Sequence, residues 1–490
     1  MQQDLTAFCP EIVLVAGVLA AFVADLFLSR KPIKRVVVAA IAFVTVCGAG
    51  ICLFCPASSS GLLFGGMVHA DAFSVYFKAL FAVAVCAAVV FSYFSDEVER
   101  DRDGEYYAIL LAMTLAMFLL SSATNALMIF LSLEFLSVAS YVLVAFRRRD
   151  KRSTEAALKY VVYGALASGL MLFGFSYLYG LVGSLDIVEI GRGLEQIFAG
   201  GATTSAKLIG SVSVMMVFAG FAYKIAAVPF HMWCPDVYEG APTPVAAILS
   251  VGPKAAGFAV LIRFLISALP AGTIPWPAII GIISVATMTL GNIAAIHQNN
   301  IKRLLAYSSI AHAGYMLMAV SAGSPDGTSA VMFYAAVYML MNLGAFVVVM
   351  SVRASAGGSE EISTYDGLSK TQPLLAVLMT IFLFSLVGIP PFGGFIGKFY
   401  LFAALIKKAG YWYYVIALAG VVNSAVSLYY YARIIKAMFL KEPVSGNNIM
   451  KRAPAAFAAI AVILAVPVLV LGVYWSPLYL FAERSTDIFK

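Results

Sequence analysis

Residues 241–268 read APTPVAAILSVGPKAAGFAVLIRFLISA, and the charged side chains in that run are Lys254 and Arg263. A helix needs about 20 predominantly apolar residues to cross the hydrocarbon core of a bilayer, and this run exceeds that. A transmembrane barrel strand would alternate polar and apolar positions, and no such alternation is present. The pattern repeats outward in both directions. Over the 490 residues, the set AVILMFWYC makes up 62% and charged residues 12%. A soluble chain carries about twice that charge, and with so little it could not cover its surface. The fold class is therefore an all-α polytopic membrane protein. The net charge of +7 is assigned to loops beside the membrane rather than to a nucleic-acid partner.

Fourteen apolar segments are predicted, near 7–29, 36–56, 72–95, 106–122, 125–146, 154–182, 206–228, 241–268, 274–297, 303–321, 328–352, 372–405, 411–438 and 454–480. Connections are short. The longest, 183–205, has room for one strand-like or short helical stretch. The loop cations are strongly asymmetric. One side holds 20: Arg30, Lys31, Lys34, Arg35, Arg100, Arg102, Arg147, Arg148, Arg149, Lys151, Arg152, Lys302, Arg303, Arg353, Lys370, Arg433, Lys436, Lys441, Lys451 and Arg452. The other holds six: Arg192, Lys207, Lys407, Lys408, Arg484 and Lys490. Because the cytoplasmic side collects Lys and Arg, both termini are expected outside. The first segment lacks a positive leader and reads as a retained helix rather than a signal peptide.

Two segments carry breakers. The seventh has Lys224 and then Pro229; the twelfth has Pro390-Pro391, Gly393-Gly394 and then Lys398. Pro removes a backbone donor and Gly permits bending, so both helices should break there. Broken helices five segments apart suggest two five-helix repeats, and odd-numbered repeats invert in the membrane. The expected division is 1–105 (three helices), 106–268 and 269–440 (the repeats), and 441–490 (a last helix). The six cysteines, including the Cys52/Cys55 pair, read as packing residues. No metal, haem or nucleotide motif occurs.

Six basic residues fall inside apolar segments. A charge at a helix centre costs about 2.5–3.5 kcal/mol on the insertion scale, so function is its default reading and snorkelling the alternative. Glu134 lies nine residues from Asn125 and 13 from Arg147, about 13–20 Å from either end. Its stem is too short to snorkel. Lys224, before the break at Pro229, Lys254, beside Pro253, and Lys398, after the double-proline break, read as functional. Lys159, near Arg152, is also read as functional, with snorkelling a close rival. Arg263 and Lys78 are expected to anchor at the interfaces. His312 suits a proton relay or a structural hydrogen bond. His231 belongs to an inner half-helix, and His297 and His69 are expected in solvent. Trp233, Trp276, Trp412 and Trp475 are read mostly as an interfacial belt. Burial disfavours the charged form of a lysine by up to about 3–5 pKa units, bringing its titration toward working pH. A carboxylate about 7 Å away couples to it by roughly 2.4 kcal/mol at an effective dielectric near 20. A line of lysines with one glutamate can therefore pass protons; sodium remains an alternative cargo.

Three motifs carry a resemblance: YKIAAVPFHMWCPDVYEGAPTPV at 223–245, NIKRLLAYSSIAHAGY at 300–315 and GIPPFGGFIGKF at 388–399. Together they resemble the antiporter-like membrane subunits of respiratory complex I (NADH-quinone oxidoreductase), and among these the subunit N family. The resemblance spans nearly the whole chain. Cys234 stands where that family is expected to have Thr. The resemblance implies that Glu134 and Lys224 form the charge pair of an input half-channel and that Lys159 modulates it. Lys254 would be the central lysine, His312 a link, and Lys398 the output lysine. It implies a subunit of a proton-translocating enzyme in the bacterial inner membrane. This chain would carry no cofactor; flavin, iron–sulfur clusters and quinone would belong to partner subunits. Its neighbours would be a small membrane subunit and a second antiporter-like subunit. The rival readings are a subunit of a multisubunit monovalent cation/proton antiporter and a non-transporting scaffold of a hydrogenase-like complex.

Overall fold

The computed structural model describes every residue except 1, 29–32, 55–60, 201, 271–272, 444–453 and 490. Arg30, Lys31, Cys55, Lys451, Arg452 and Lys490, weighed above, lie outside the described residues. The helices run α1 (Gln2–Ala7), α2 (Cys9–Leu28), α3 (Lys34–Cys52), α4 (Ala72–Phe94), α5 (Asp103–Ser122), α6 (Ala126–Val144) and α7 (Lys151–Val182). They continue with α8 (Ile187–Ala199), α9 (Thr204–Ile225), α10 (Trp233–Gly240), α11 (Thr243–Ala268), α12 (Trp276–Ile296), α13 (Ile301–Val320) and α14 (Pro325–Ser355). Last come α15 (Leu368–Thr371), α16 (Pro373–Val387), α17 (Gly393–Lys408), α18 (Tyr411–Leu440), α19 (Ala455–Val473) and α20 (Ser476–Arg484). A two-stranded antiparallel hairpin, β1 (Gly61–Leu63) with β2 (Val68–Ala70), is the one described sheet and was not foreseen from the sequence.

The all-α membrane class holds. Helix lies over each of the fourteen apolar stretches, and 12 helices are long and apolar enough to cross a membrane. Polar caps start several of them. Asp71 and Ser74 form a capping box at α4, and Asn125, Asp150, Asn300 and Ser324 cap α6, α7, α13 and α14. Each cap oxygen takes a backbone N–H that the first turn leaves without a partner. Within 183–205, the short helix α8 buries Ile187, Ile190 and Leu194 on one face.

Both predicted breaks are present. α9 stops at Ile225, where Ala226 turns left-handed (φ 59°), and α10 starts seven residues later. α16 stops at Val387, where Gly388 is left-handed (φ 89°), and α17 resumes at Gly393. Lipid cannot satisfy the freed carbonyls, and side chains do so. The Trp233 indole donates to the Tyr223 carbonyl (3.0 Å). Lys398 Nζ (2.7 Å) and Ser424 Oγ (3.0 Å) both donate to the Val387 carbonyl.

α11 and α14 form the core, with their apolar windows 100% and 94% buried; α2 and α3, at 22% and 28%, lie at the periphery. α4 packs against α5 and α11 and ties that periphery to the centre. Four sequence expectations are corrected here. Arg263 is not an interfacial anchor: its guanidinium is buried and bidentate on Asp71 (2.7 and 3.0 Å). Lys78 is likewise internal, paired with Glu11 at 2.7 Å. In both cases a carboxylate distant in sequence removes the need to snorkel. His69 is only partly exposed and meets Asp71 at 3.0 Å. Trp233 is a core residue stacked on Tyr160, with ring centroids 4.4 Å apart.

Candidate functional site

Lys224 is on the last turn of α9, directly before the break, and is buried. Its Nζ donates to Ser137 Oγ at 3.1 Å. Glu134 stands three residues before Ser137 on α6, so the two share a helix face. Glu134 lies within electrostatic range of Lys224, Tyr141 and Tyr223. Its Oε1 is buried and, among the described residues, accepts no hydrogen bond. The carboxylate is therefore near the lysine but not locked to it.

The end of α9 packs on α11 at Gly257, where a Cβ would meet Ile225 Cγ2 at 2.7 Å and lie in ordinary contact with the Lys224 stem at 3.4 Å, so glycine permits the approach of Ile225 that seats Lys224 beside it. Lys254 is three residues away on the same helix and donates to Ser309 Oγ at 2.7 Å. Ser309 Oγ also lies 3.8 Å from Cys234 Sγ, and the Tyr238 ring lies 5.8 Å from Lys254 Nζ. The serine belongs to α13, in the second proposed repeat, so Lys254 reaches across the middle of the molecule.

Ser309, His312 and Tyr315 follow one another at three-residue spacing and line one face of α13. His312 is buried. Its Nδ1 lies 2.6 Å from the Tyr334 hydroxyl and its Nε2 3.4 Å from the Tyr431 hydroxyl. Both Lys254 and Lys398 lie within its electrostatic range. Lys398 sits over the Tyr315 ring (4.6 Å) and donates to Ser424 Oγ (2.9 Å) and to the Val387 carbonyl. The groups thus run in order from Glu134 through Ser137, Lys224, Lys254, Ser309 and His312 to Lys398.

Among the described residues, no carboxylate lies within 4.0 Å of Lys224, Lys254 or Lys398, whereas Lys34, Lys78, Arg263 and Lys302, also buried, each pair with one. A buried cation locked to a carboxylate is held charged. One that faces only hydroxyls, a carbonyl and aromatic rings is left able to gain or lose a proton.

Lys159 stands apart from that line. It is 41% exposed and pairs with Asp236 (2.8 Å) and Glu155 (2.9 Å). The other oxygen of Asp236 takes Arg303 at 2.6 Å, and Arg303 also meets Glu239 at 3.0 Å. Asp236 was missed from sequence because it reads as one more charge at a loop-like break. Ser309, Tyr431 and Ser424 were also missed. The three-residue spacing of Ser309, His312 and Tyr315 was the available signal for the first. His231 is not in the half-helix but in the turn just before α10, buried, with its Nδ1 accepting or donating no hydrogen bond among the described residues, and His297 is exposed.

The sequence family described as NADH:quinone oxidoreductase/Mrp antiporter, TM, matches residues 123–427, which contain every residue of this line. The chain belongs to that family. The resemblance to subunit N holds along its whole length. It is 46% identical to the NADH-quinone oxidoreductase subunit N of Anaeromyxobacter sp. (strain Fw109-5), covering 99% of this chain and 96% of that one. It is 44% identical to NADH-quinone oxidoreductase subunit N 2 of Sorangium cellulosum (strain So ce56), covering 99% and 98%. Its fold matches a chain of respiratory complex I from Thermus thermophilus, solved with bound aureothin, at TM-score 0.78 and 29% identity over 96% of this chain and 98% of that one. A chain of the Mrp complex from Dietzia sp. DQ12-45-1b shares the fold at TM-score 0.84 and 22% identity, covering 98% and 97%.

Proposed function

We propose that this chain is a proton-translocating membrane-arm subunit of a bacterial NADH-quinone oxidoreductase. The observation that carries the reading is the line of buried lysines that, among the described residues, have no carboxylate within 4.0 Å, whereas Lys34, Lys78, Arg263 and Lys302 are each paired with one. Glu134 and Lys224 form the input pair. When the carboxylate is near, it favours the ammonium; when it moves away, the proton leaves toward Lys254. Ser309 and His312 connect Lys254 to Lys398, since a hydroxyl and an imidazole can each both accept and donate. Lys398 releases the proton on the output side. Lys159 acts on the input pair from the edge, through Asp236.

The proposed topology has 14 crossings, with α13 and the broken pair α16/α17 completing the 12 apolar spans, and both termini extracytoplasmic. Segments 106–268 and 269–440 are inverted repeats, with 1–105 before them and 441–490 after. Redox chemistry belongs to partner subunits with flavin, iron–sulfur clusters and quinone. The membrane neighbours are a small subunit and another antiporter-like subunit.

Isolating the native complex and identifying its co-purifying subunits tests the assignment. Flavin and iron–sulfur proteins are expected; a small all-membrane set would point to a cation/proton antiporter instead. In reconstituted membranes, Lys398→Ala is expected to assemble and to lower proton translocation per electron. Normal pumping by a fully assembled Lys398→Ala complex would remove the output role.

A further inference from the structure

The peripheral hairpin of α2 and α3 carries a thiol contact that the lysine line does not use. α2 begins at Cys9 and α3 ends at Cys52, so the antiparallel pair brings both residues to the same end. The Cys9 thiol lies 3.5 Å from the Cys52 sulfur across 43 residues of chain, and both residues are partly exposed. A second contact joins α3 to α4, with Cys47 and Cys86 sulfurs 3.7 Å apart. That pair is deeper: Cys47 lies five residues before Cys52 on α3, about 7.5 Å further along the helix.

We propose that Cys9 and Cys52 are a modification site that closes as a disulfide at the outer end of the hairpin, while Cys47 and Cys86 remain a dithiol. The inference rests on the proposed topology, which puts this end of the hairpin in the oxidising outer compartment. One cysteine thiolate attacks the disulfide of an outer thiol–disulfide oxidant and forms a mixed disulfide. The second thiolate displaces the oxidant, which leaves as its dithiol. The two thiols lose two protons and two electrons, and the oxidant takes up both. A sulfur–sulfur bond of about 2.0 Å requires the sulfurs to approach by roughly 1.5 Å. The deeper pair is as close, but hydrocarbon excludes both the thiolate and a water-borne oxidant. It therefore serves as an internal control. A bond at Cys9–Cys52 would add a covalent link to a peripheral hairpin whose two helices already pack against each other.

The test uses the intact complex in sealed membranes of known orientation, treated with a membrane-impermeant maleimide before and after reduction. The chain is then mapped by mass spectrometry without reductant. Cys9 and Cys52 are expected to resist labelling from the outer face until reduced, and to appear as one cross-linked peptide pair. Cys9→Ser should expose Cys52 to labelling without reductant. A Cys55→Ser variant should leave the Cys9–Cys52 link intact. Labelling of both cysteines from outside without reductant overturns the disulfide while the topology stands. Labelling only in inverted vesicles overturns both. A Cys52–Cys55 link, or an oxidised Cys47–Cys86 pair beside a reduced Cys9–Cys52, also overturns it.

Discussion

At the scale of single residues, what distinguishes Lys224, Lys254 and Lys398 is what they touch. Each meets hydroxyls, a carbonyl or a ring, and among the described residues none is pinned by a carboxylate. Lys398→Arg should therefore fail to restore pumping, because a guanidinium keeps its proton; proton-to-electron ratios in proteoliposomes check this. Ser309→Ala removes the hydrogen bond to Lys254, which for a charged partner is worth about 1.5–3 kcal/mol. If transfer runs through it, the proton-transfer step should slow by roughly 10- to 100-fold with electron flux and assembly retained. Glu134→Gln and Lys224→Ala break one relay, so the double variant should be little worse than either single one; additive losses would show two independent groups. His69 gives a pH signature outside the membrane. Burial holds its imidazole below the usual 6.5, with the Asp71 charge opposing and that of Arg263 assisting. The neutral ring is the form the fold prefers. Its contribution is complete above the unfolded value and is lost as pH falls from about 6.5 through the lowered folded value. Amides of residues 61–74 should exchange hydrogen faster across that window in the intact complex, and His69→Gln should flatten the response.

At the scale of elements, the two breaks do different work. The α9 break follows Lys224 and turns its carbonyl ends toward Trp233. The α16 break precedes Lys398 and presents the Val387 carbonyl to its ammonium. Gly388 sits at the turn, and a Cβ there would come 2.8 Å from Lys398 Cδ in a left-handed conformation. Gly388→Ala should cost about 1–2 kcal/mol in backbone alone and also displace the lysine. Its pumping should fall more than its thermal stability in the purified complex. Both breaks were legible, because Pro and Gly act on the chain locally. The partners of the freed carbonyls were not, since Trp233, Ser424 and Lys398 reach them only through folding.

At the scale of the whole molecule, buried ion pairs bind the periphery to the core. Arg263 of α11 holds Asp71 before α4, and Lys78 of α4 holds Glu11 of α2. Arg263→Met alone leaves the buried Asp71 carboxylate with only His69 and the α4 cap N–H beside it; removing one partner of a buried ion pair typically costs about 3–5 kcal/mol. Assembled complex should fall sharply, and adding Asp71→Asn, which removes the charge but keeps a side-chain oxygen to cap α4, should recover part of it, as measured by complex yield and melting temperature. The asymmetry of loop cations predicts outer labelling of cysteines introduced near Met1 and Lys490 in intact cells. Protection of both would reject that orientation. The all-α class, the long apolar helices, the two breaks and the depth of Glu134 were determined by the sequence itself. They follow from chain length against bilayer thickness and from local backbone chemistry. Which charges are locked and which are free to titrate was decided only by tertiary structure. Lys78, Arg263 and Lys254 all stand inside apolar runs, and the first two were expected to anchor at the interfaces; instead Glu11 and Asp71, distant along the chain, pair them inside the bundle, while Lys254 meets a hydroxyl. Pairing is a property of space at about 3–4 Å, and a linear order of residues does not contain it.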